Sequence, residues 1–379
     1  MAGIYLHIPF CRQACYYCDF HFSTNVKLKS FLIDAMLNEI RLQKSYLKDE
    51  QVDTLYFGGG TPSLLAIHEI GQFLDTIYSA FKVSDVPEIT LEANPDDLSV
   101  AKTRDLKRLG INRLSIGIQS FDDNILKFLH RAHNAQDSFK AIKNAESAGF
   151  DNINLDLIFA ITQNHGRVIQ RDMQHILQIL PQHISTYCLT IEPGTVFGNW
   201  SNKGKFMEVS TDRAADEFEY IIDALCGNGY EHYEVSNFSK PGFISLHNRN
   251  YWRQVPYLGI GPSAHSFDGT TRQSNVRNNS KYIKSLGNNK VPAEKEYLSK
   301  SDNINEYLLT GLRTKWGVDL SLIKNKYQID ILKYNKSYIQ NLVNLNLATF
   351  YNGKLQLQKK GMLMADKICS DLFLIEKND

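Results

Sequence analysis

Long apolar runs are missing from this chain. None approaches the ~18 residues that a membrane-spanning helix needs, so no integral membrane segment is expected. The N-terminus shows no basic stretch followed by an apolar core, so no secretory leader is read there and a cytoplasmic location is expected. Charge of one sign is also missing. Lys and Arg number 42 against 41 Asp and Glu, which argues against nucleic acid or an anionic membrane surface as partner. Repeats of solenoid length and low-complexity tracts are absent. Cysteine is scarce, six in 379 residues, too sparse for a disulfide scaffold. Its distribution is uneven, however. Cys11, Cys15 and Cys18 crowd together, while Cys188, Cys226 and Cys369 stand alone. In a reducing compartment, clustered thiols point to metal.

The length exceeds one ordinary core, although α/β barrels reach roughly 200–250 residues as one domain. Six strand-like runs alternate with amphipathic stretches: Ile4–Ile8, Thr54–Gly58, Glu88–Glu92, Arg113–Gln119, Asn154–Phe159 and Ile184–Thr190. Several are nearly continuous apolar runs, as in strands buried on both faces of a parallel sheet. Phe31–Leu47 and Ser138–Ala148 carry helical spacing, the second stopping at Gly149. The expected fold class is α/β, a partial (β/α)6 barrel, with a doubly wound open sheet compatible with the same pattern. Beyond about Lys300, helices are expected at Ile304–Leu312, Leu320–Tyr327 and Ser337–Leu345. A hairpin around Asn352-Gly353 follows, then a last helix over Lys360–Leu372. That order reads as a small winged-helix-like domain, taken as a structural or docking module because its basic residues form no stripe. The domain reading is 1–230 for the barrel, 231–295 for a capping segment and linker, with 270–295 as linker or surface loop, and 296–379 for the C-terminal domain.

After the first strand the chain reads His7-Ile-Pro-Phe-Cys11-Arg-Gln-Ala-Cys15-Tyr-Tyr-Cys18-Asp-Phe20. Three thiolates this close suit one metal centre. A cubane cluster normally takes four thiolates; with three, one iron keeps an exchangeable position for a ligand carrying an amine and a carboxylate. A structural zinc site with His7 or His21 as fourth ligand is the alternative, though no second cysteine pair stands nearby. The spacing Cys-x-x-x-Cys-x-x-Cys after a first strand resembles the signature of the radical SAM superfamily. The wording Tyr5-Leu-His-Ile-Pro-Phe-Cys11 resembles a narrower branch, that of oxygen-independent coproporphyrinogen III dehydrogenase and a related haem chaperone. The resemblance spans nearly the whole chain. It implies a [4Fe–4S] cluster on Cys11, Cys15 and Cys18, S-adenosylmethionine (SAM) at the open iron, and a partial (β/α)6 barrel.

Active sites of α/β barrels lie at the C-terminal ends of the strands. Gly58-Gly59-Gly60-Thr61 follows the second strand, and consecutive glycines permit close backbone approach to a ligand, or simply a turn. Glu92 ends an apolar strand, where a carboxylate needs partners: ribose hydroxyls, or a buried salt bridge. Gln119 ends the fourth strand with a bifunctional amide. Asp156 sits among apolar neighbours in the fifth strand, with Arg131 as candidate partner. The resemblance implies SAM-facing roles for Tyr5, Tyr17, Gly59, Gly60, Thr61, Glu92, Gln119, Arg131 and Asp156, with Thr190 as a further match. The family's Tyr-Gly-Leu-Pro-Gly-Gln reads Phe159-Ala160-Ile161-Thr162-Gln163 here, which predicts loss of a glycine-dependent turn; His130 replaces a common glycine before Arg131.

The dehydrogenase has a fourth cysteine two residues after the third; here that position is Phe20. His247-Asn248-Arg-Asn-Tyr251-Trp252 resembles the His-Asn-x-x-Tyr-Trp motif of the chaperone branch. A histidine can ligate haem iron, and Tyr and Trp offer flat faces to a macrocycle; a histidine closing a loop over the barrel fits the residues as well. His247 is the first candidate ligand and His265 the second. The expected function is therefore a haem chaperone that binds haem, a [4Fe–4S] cluster and SAM and hands haem to acceptor proteins. The alternative is the dehydrogenase itself, by oxidative decarboxylation. Should SAM be cleaved, an electron donor such as flavodoxin or ferredoxin is implied; a homodimer is left open.

Overall fold

The computed structural model of the chain describes residues 1–48, 50–161 and 169–374. Six parallel strands form its centre: β1 (Ala2–Ile8), β2 (Val52–Gly59), β3 (Val83–Ala93), β4 (Arg113–Gln119), β5 (Ile153–Phe159) and β6 (His183–Cys188). Helices α1 (Lys29–Leu42), α2 (Ile67–Ala80), α3 (Val100–Arg108), α4 (Asp123–Phe128), α5 (Ala135–Ser147), α6 (Ile169–Ile179), α7 (Val196–Asn202) and α8 (Thr211–Cys226) belong to the crossovers and to the stretch after β6. Each of the six expected strands is found within a few residues, and β4 matches at both ends. The reason is local. In β1, Ile4, Leu6 and Ile8 are buried against helices while Tyr5 and His7 alternate onto the other face. In β4 every residue is buried.

The chain continues through β7 (Glu231–Glu234), β8 (Asn237–Ser239), α9 (Leu246–Trp252), β9 (Tyr257–Ile260), β10 (His265–Phe267), β11 (Thr271–Asn275), α10 (Asn279–Gly287) and β12 (Ala293–Tyr297). Among the described residues the strands make one mixed sheet, ordered β12-β11-β10-β9-β1-β2-β3-β4-β5-β6-β8-β7. Its ends are not joined, so the barrel is open. β9 adds parallel to β1, whereas β8 adds antiparallel to β6. The stretch 270–295, read from its polar composition as linker or loop, instead holds β11, α10 and the start of β12. Tertiary contacts decide this. β11 pairs with both β10 and β12, and α10, capped by Asn278, buries Tyr282 so that its hydroxyl donates to the buried Glu39 carboxylate of α1.

The C-terminal part has its own core around Ile304, Leu308, Leu312, Val318, Ile323 and Ile339. Its elements are α11 (Lys300–Leu312), β13 (Val318–Asp319), α12 (Leu320–Tyr327), α13 (Ile331–Tyr334), α14 (Lys336–Asn344), β14 (Ala348–Tyr351), β15 (Lys354–Leu357), α15 (Lys359–Met362) and α16 (Ala365–Leu372). Asn352 and Gly353 both take positive φ, 50° and 81°, as a two-residue hairpin turn requires. The single last helix expected over Lys360–Leu372 is two, α15 and α16. This part docks on the sheet through Val235 N–H to Arg313 O (2.9 Å) and Lys315 N–H to Tyr233 O (3.0 Å). The Arg253 guanidinium lies 5.0 Å from the Trp316 ring centre and that of Arg313 lies 5.7 Å from Trp252. Among the described residues no helix is long and apolar enough to cross a membrane.

Candidate functional site

The loop after β1 is fastened from several sides before any metal is considered. Cys11 N–H donates to Ser23 O (3.1 Å) and Ser23 N–H to Pro9 O (2.9 Å). Arg12 pairs with Asp97 at 2.5 Å. Gln13 Nε2 donates to His130 O (2.9 Å), and His130 Nδ1 bonds to Ala14 O (2.8 Å). The imidazole of His130 also stacks on Tyr16, centroids 4.3 Å apart and planes 9° from parallel. His130 holds a left-handed backbone, φ 58°, so the side chain that replaces a common glycine keeps the glycine's turn and adds a clamp on the cysteine loop. Sequence reasoning missed this role; a histidine beside a pocket arginine was its only trace.

The turn of the chain at His130 aims Arg131 inward. Its Nη1 donates to Cys15 Sγ (3.3 Å) and Tyr17 OH (3.4 Å), and its Nη2 to Asn94 Oδ1 (2.6 Å) and Gly117 O (2.9 Å). Asp156, named from sequence as its partner, lies elsewhere. It accepts from Asn154 Nδ2 (2.7 Å) and Ser115 Oγ (3.2 Å), and its strand register sets it opposite Ser185. Burial raises its carboxyl above the ordinary range, an effect opposed by those donors and by Arg113. Arg113 opens β4 and is 1% exposed, with Nε and Nη2 unbonded among the described residues. Its positive charge acts against the burial-driven rise of both the Asp156 and the Glu92 carboxyl. An arginine at the start of an apolar strand was the signal available for it.

The three cysteines face this arginine. Thr61 Oγ1 donates to Cys11 Sγ at 3.4 Å. Burial raises the Cys11 thiol and pushes that of Cys18 up to about 11. Unpaired thiols, a guanidinium and a hydroxyl directed at sulfur suit a centre that needs thiolates. Among the described residues no three His, Cys, Asp or Glu side chains stand close enough to share one metal ion. His7, considered as a zinc ligand, uses Nδ1 with Tyr5 OH (3.2 Å) and Nε2 with His21 O (2.8 Å).

Glu92 closes the opposite wall. It accepts from Tyr56 OH (2.8 Å) and Gly59 N–H (3.2 Å), and burial pushes its carboxyl up to about 7. The glycines are packed closely against their neighbours. A Cβ on Gly60 would lie 2.8 Å from Phe10 O and 2.9 Å from Ile8 O, and one on Gly59, at φ 110°, would lie 2.7 Å from the His7 ring. Their close approach is to β1 and the cysteine loop. Gln119, at φ 63°, has its amide beside Gly117 and Arg131. Thr190 is exposed beyond β6 and bonds only to Cys188 O (3.2 Å); no described contact brings it to the others. Ala160, where the family has glycine, takes a left-handed backbone at φ 60° with its N–H donated to Glu217 (2.8 Å), at a strain of about 1–2 kcal/mol. Thr162 and Gln163 lie outside the described residues.

Of the two histidines named for haem, His247 is 2% exposed. Its Nδ1 bonds to Thr54 Oγ1 (2.7 Å) and its Nε2 to Tyr251 OH (2.9 Å). His265 is exposed at the start of β10.

An open barrel of parallel strands, with three thiols on its first loop and a glutamate, an arginine and glycines around its mouth, defines a class of metallo-cofactor proteins. A sequence model of the Radical SAM superfamily matches residues 5–170, and one of the HemN C-terminal domain matches 298–364. Proteins named Heme chaperone HemW are similar along the chain. That of Lactococcus lactis is 34% identical, covering 99% of this chain and 98% of its own length. Those of Bacillus subtilis and Escherichia coli are 33% and 37% identical, covering 97% and 69% of this chain and 98% and 69% of their own lengths. The solved coproporphyrinogen III oxidase (HemN) from Escherichia coli superposes with a TM-score of 0.84 over 98% of this chain and 90% of that one, at 21% identity, a likeness of fold. The chain belongs to the HemW family of the radical SAM superfamily.

Proposed function

We propose that this protein is a haem chaperone that holds a [4Fe–4S] cluster on Cys11, Cys15 and Cys18, binds SAM in the barrel mouth and passes haem to acceptor proteins. The observation that carries the reading is the three-thiol loop itself. Arg131 spans it to the barrel interior, contacting Cys15 on one side and Asn94 and Gly117 on the other, and Phe20, not cysteine, follows Cys18. When bound, the cluster supplies one-electron chemistry and an open iron for the amino-acid end of SAM. The residues do the rest. Glu92 takes the ribose hydroxyls, Tyr5 and Tyr17 flank the cofactor, and Gly59, Gly60 and Thr61 line it by backbone. Gln119 offers its amide, and Arg131 donates from Nη1 to Cys15 Sγ. Asp156, with the charge of Arg113 acting on it, completes the polar set. The division of labour follows the chain, with the barrel in 1–230, the capping segment in 231–295 and the HemN-type module in 296–379. Relatives named heme chaperone cover nearly the full length, which supports this reading over oxidative decarboxylation. The test is anaerobic reconstitution followed by haem titration and by assay on coproporphyrinogen with reductant and SAM. A saturable Soret band with no protoporphyrinogen formed is expected; robust decarboxylation would overturn the proposal.

A further inference from the structure

Beside the cysteine loop, the edge of the sheet and α11 enclose a cavity of about 610 Å³, within the roughly 300–1,000 Å³ of sites for cofactor-sized molecules. Its walls are flat and aromatic, with Tyr5, Tyr251, Trp252, Tyr257 and Phe267 among them, and Phe20, 69% exposed, stands at its edge. Two guanidiniums line it. Arg272 of β11 is paired with Glu306 of α11 at 2.9 Å, and Arg277 with Asp19 at 3.6 Å. Both side chains are about half exposed, 45% and 56%, so each can take a further carboxylate.

Three histidines face this space, and they differ in what their rings already do. His7 uses both nitrogens, as described, and His21 gives Nε2 to Asn279 Oδ1 at 2.7 Å. His265 makes no side-chain hydrogen bond among the described residues and is exposed. Burial and the nearby Arg272 charge lower its pKa, which favours the neutral ring that ligates metal. His247 stands behind Tyr251, sealed by Thr54 and by the tyrosine hydroxyl. A nucleotide would call for a helix N-terminus or glycine-rich loop among these walls. Aromatic faces, two guanidiniums and one unengaged imidazole instead match a planar, iron-bearing macrocycle with two carboxylates.

We infer that this cavity is the cargo site, taking haem with His265 on the iron and its carboxylates on Arg272 and Arg277. The inference rests on the chaperone function proposed above and adds its address. It reverses the order of the two histidines drawn from sequence. It also gives the C-terminal module a way to sense loading. A haem carboxylate on Arg272 competes with Glu306, so occupancy loosens the tie between β11 and α11.

The full-length, cluster-reconstituted protein tests this by Soret titration with haem and with haem dimethyl ester. For His265→Ala we expect affinity at least tenfold weaker and a shifted Soret maximum. His265→Met should bind with a spectrum distinct from both. Arg272→Gln and Arg277→Gln should weaken haem binding while leaving binding of the ester at the wild-type level. Wild-type affinity and spectrum in His265→Ala, or equal losses for haem and ester in the arginine variants, would overturn the cavity assignment while the chaperone reading stood. Absence of saturable binding by the wild type would instead remove that reading and the inference with it. Loss of the Soret band on His247→Phe in protein of unchanged circular dichroism, with His265→Ala intact, would transfer the ligand to His247.

Discussion

Replacing Gly60 with alanine tests whether the glycine loop is built to meet the cysteine loop. A Cβ there would lie 2.8, 2.9 and 2.9 Å from Phe10 O, Ile8 O and Phe10 N. All three are backbone atoms of the stretch entering Cys11, and Gly60 N–H already donates to Ile8 O at 2.9 Å. No flexible side chain is present to yield, so the backbones must part. Overpacking of this kind costs about 1–3 kcal/mol. Gly71, inside α2, is the matched control. A Cβ there meets only Leu109 Cδ2, at the ordinary distance of 3.7 Å, and alanine is favoured over glycine in a helix by about 0.8–1 kcal/mol. The same chemical change should therefore act with opposite signs, and the two variants should differ by about 2–4 kcal/mol, or roughly 30- to 700-fold in the unfolding equilibrium. Urea unfolding of the metal-free proteins by circular dichroism, read on the barrel transition, measures this. Anaerobic iron and sulfide content should fall in Gly60→Ala and hold in Gly71→Ala. If Gly60→Ala were as stable as Gly71→Ala and took up a full complement of iron, the loop-against-loop argument would be wrong.

Simultaneous replacement of Cys11, Cys15 and Cys18 by alanine should abolish iron and sulfide uptake with unchanged far-ultraviolet circular dichroism; retained iron would place the metal elsewhere. Glu92 is held at about 7, above its ordinary value, so the carboxylate that accepts ribose hydroxyls forms only as pH rises through 7. SAM affinity, by equilibrium dialysis, should rise about tenfold from pH 6 to pH 8 and be flat in Glu92→Gln. By the same sign, Glu92 favours the folded empty protein most at low pH, and that contribution is lost as pH rises from its unfolded value through about 7. Ala160→Gly should stabilise the chain by up to about 1 kcal/mol, because relief of a left-handed alanine exceeds glycine's added chain entropy; a lower melting temperature would contradict the strain. Arg131→Lys cannot reach Cys15, Tyr17, Asn94 and Gly117 at once, so its reconstituted cluster should lose iron to a chelator several-fold faster than wild type.

The sequence by itself determined the elements whose cause is local. Continuous apolar runs placed β1 to β6, and Asn352-Gly353 placed the C-terminal hairpin, because strand burial and turn conformation are written in neighbouring residues. The grouping of Cys11, Cys15 and Cys18 was equally legible, since three thiols within eight residues need no fold to bring them together. Tertiary structure alone decided the rest. It folded the polar stretch 270–295 into paired strands and a packed helix, and it turned Arg131 toward Cys15 and away from Asp156. It set the glycines against Phe10 and Ile8. It also buried His247 behind Tyr251 while leaving His265 open beside a cavity. Each of these depends on which distant residues share one face of a sheet or one end of a barrel. A side chain's partners there are set by register and crossover geometry, and neither leaves a mark in the residues next to it in the chain.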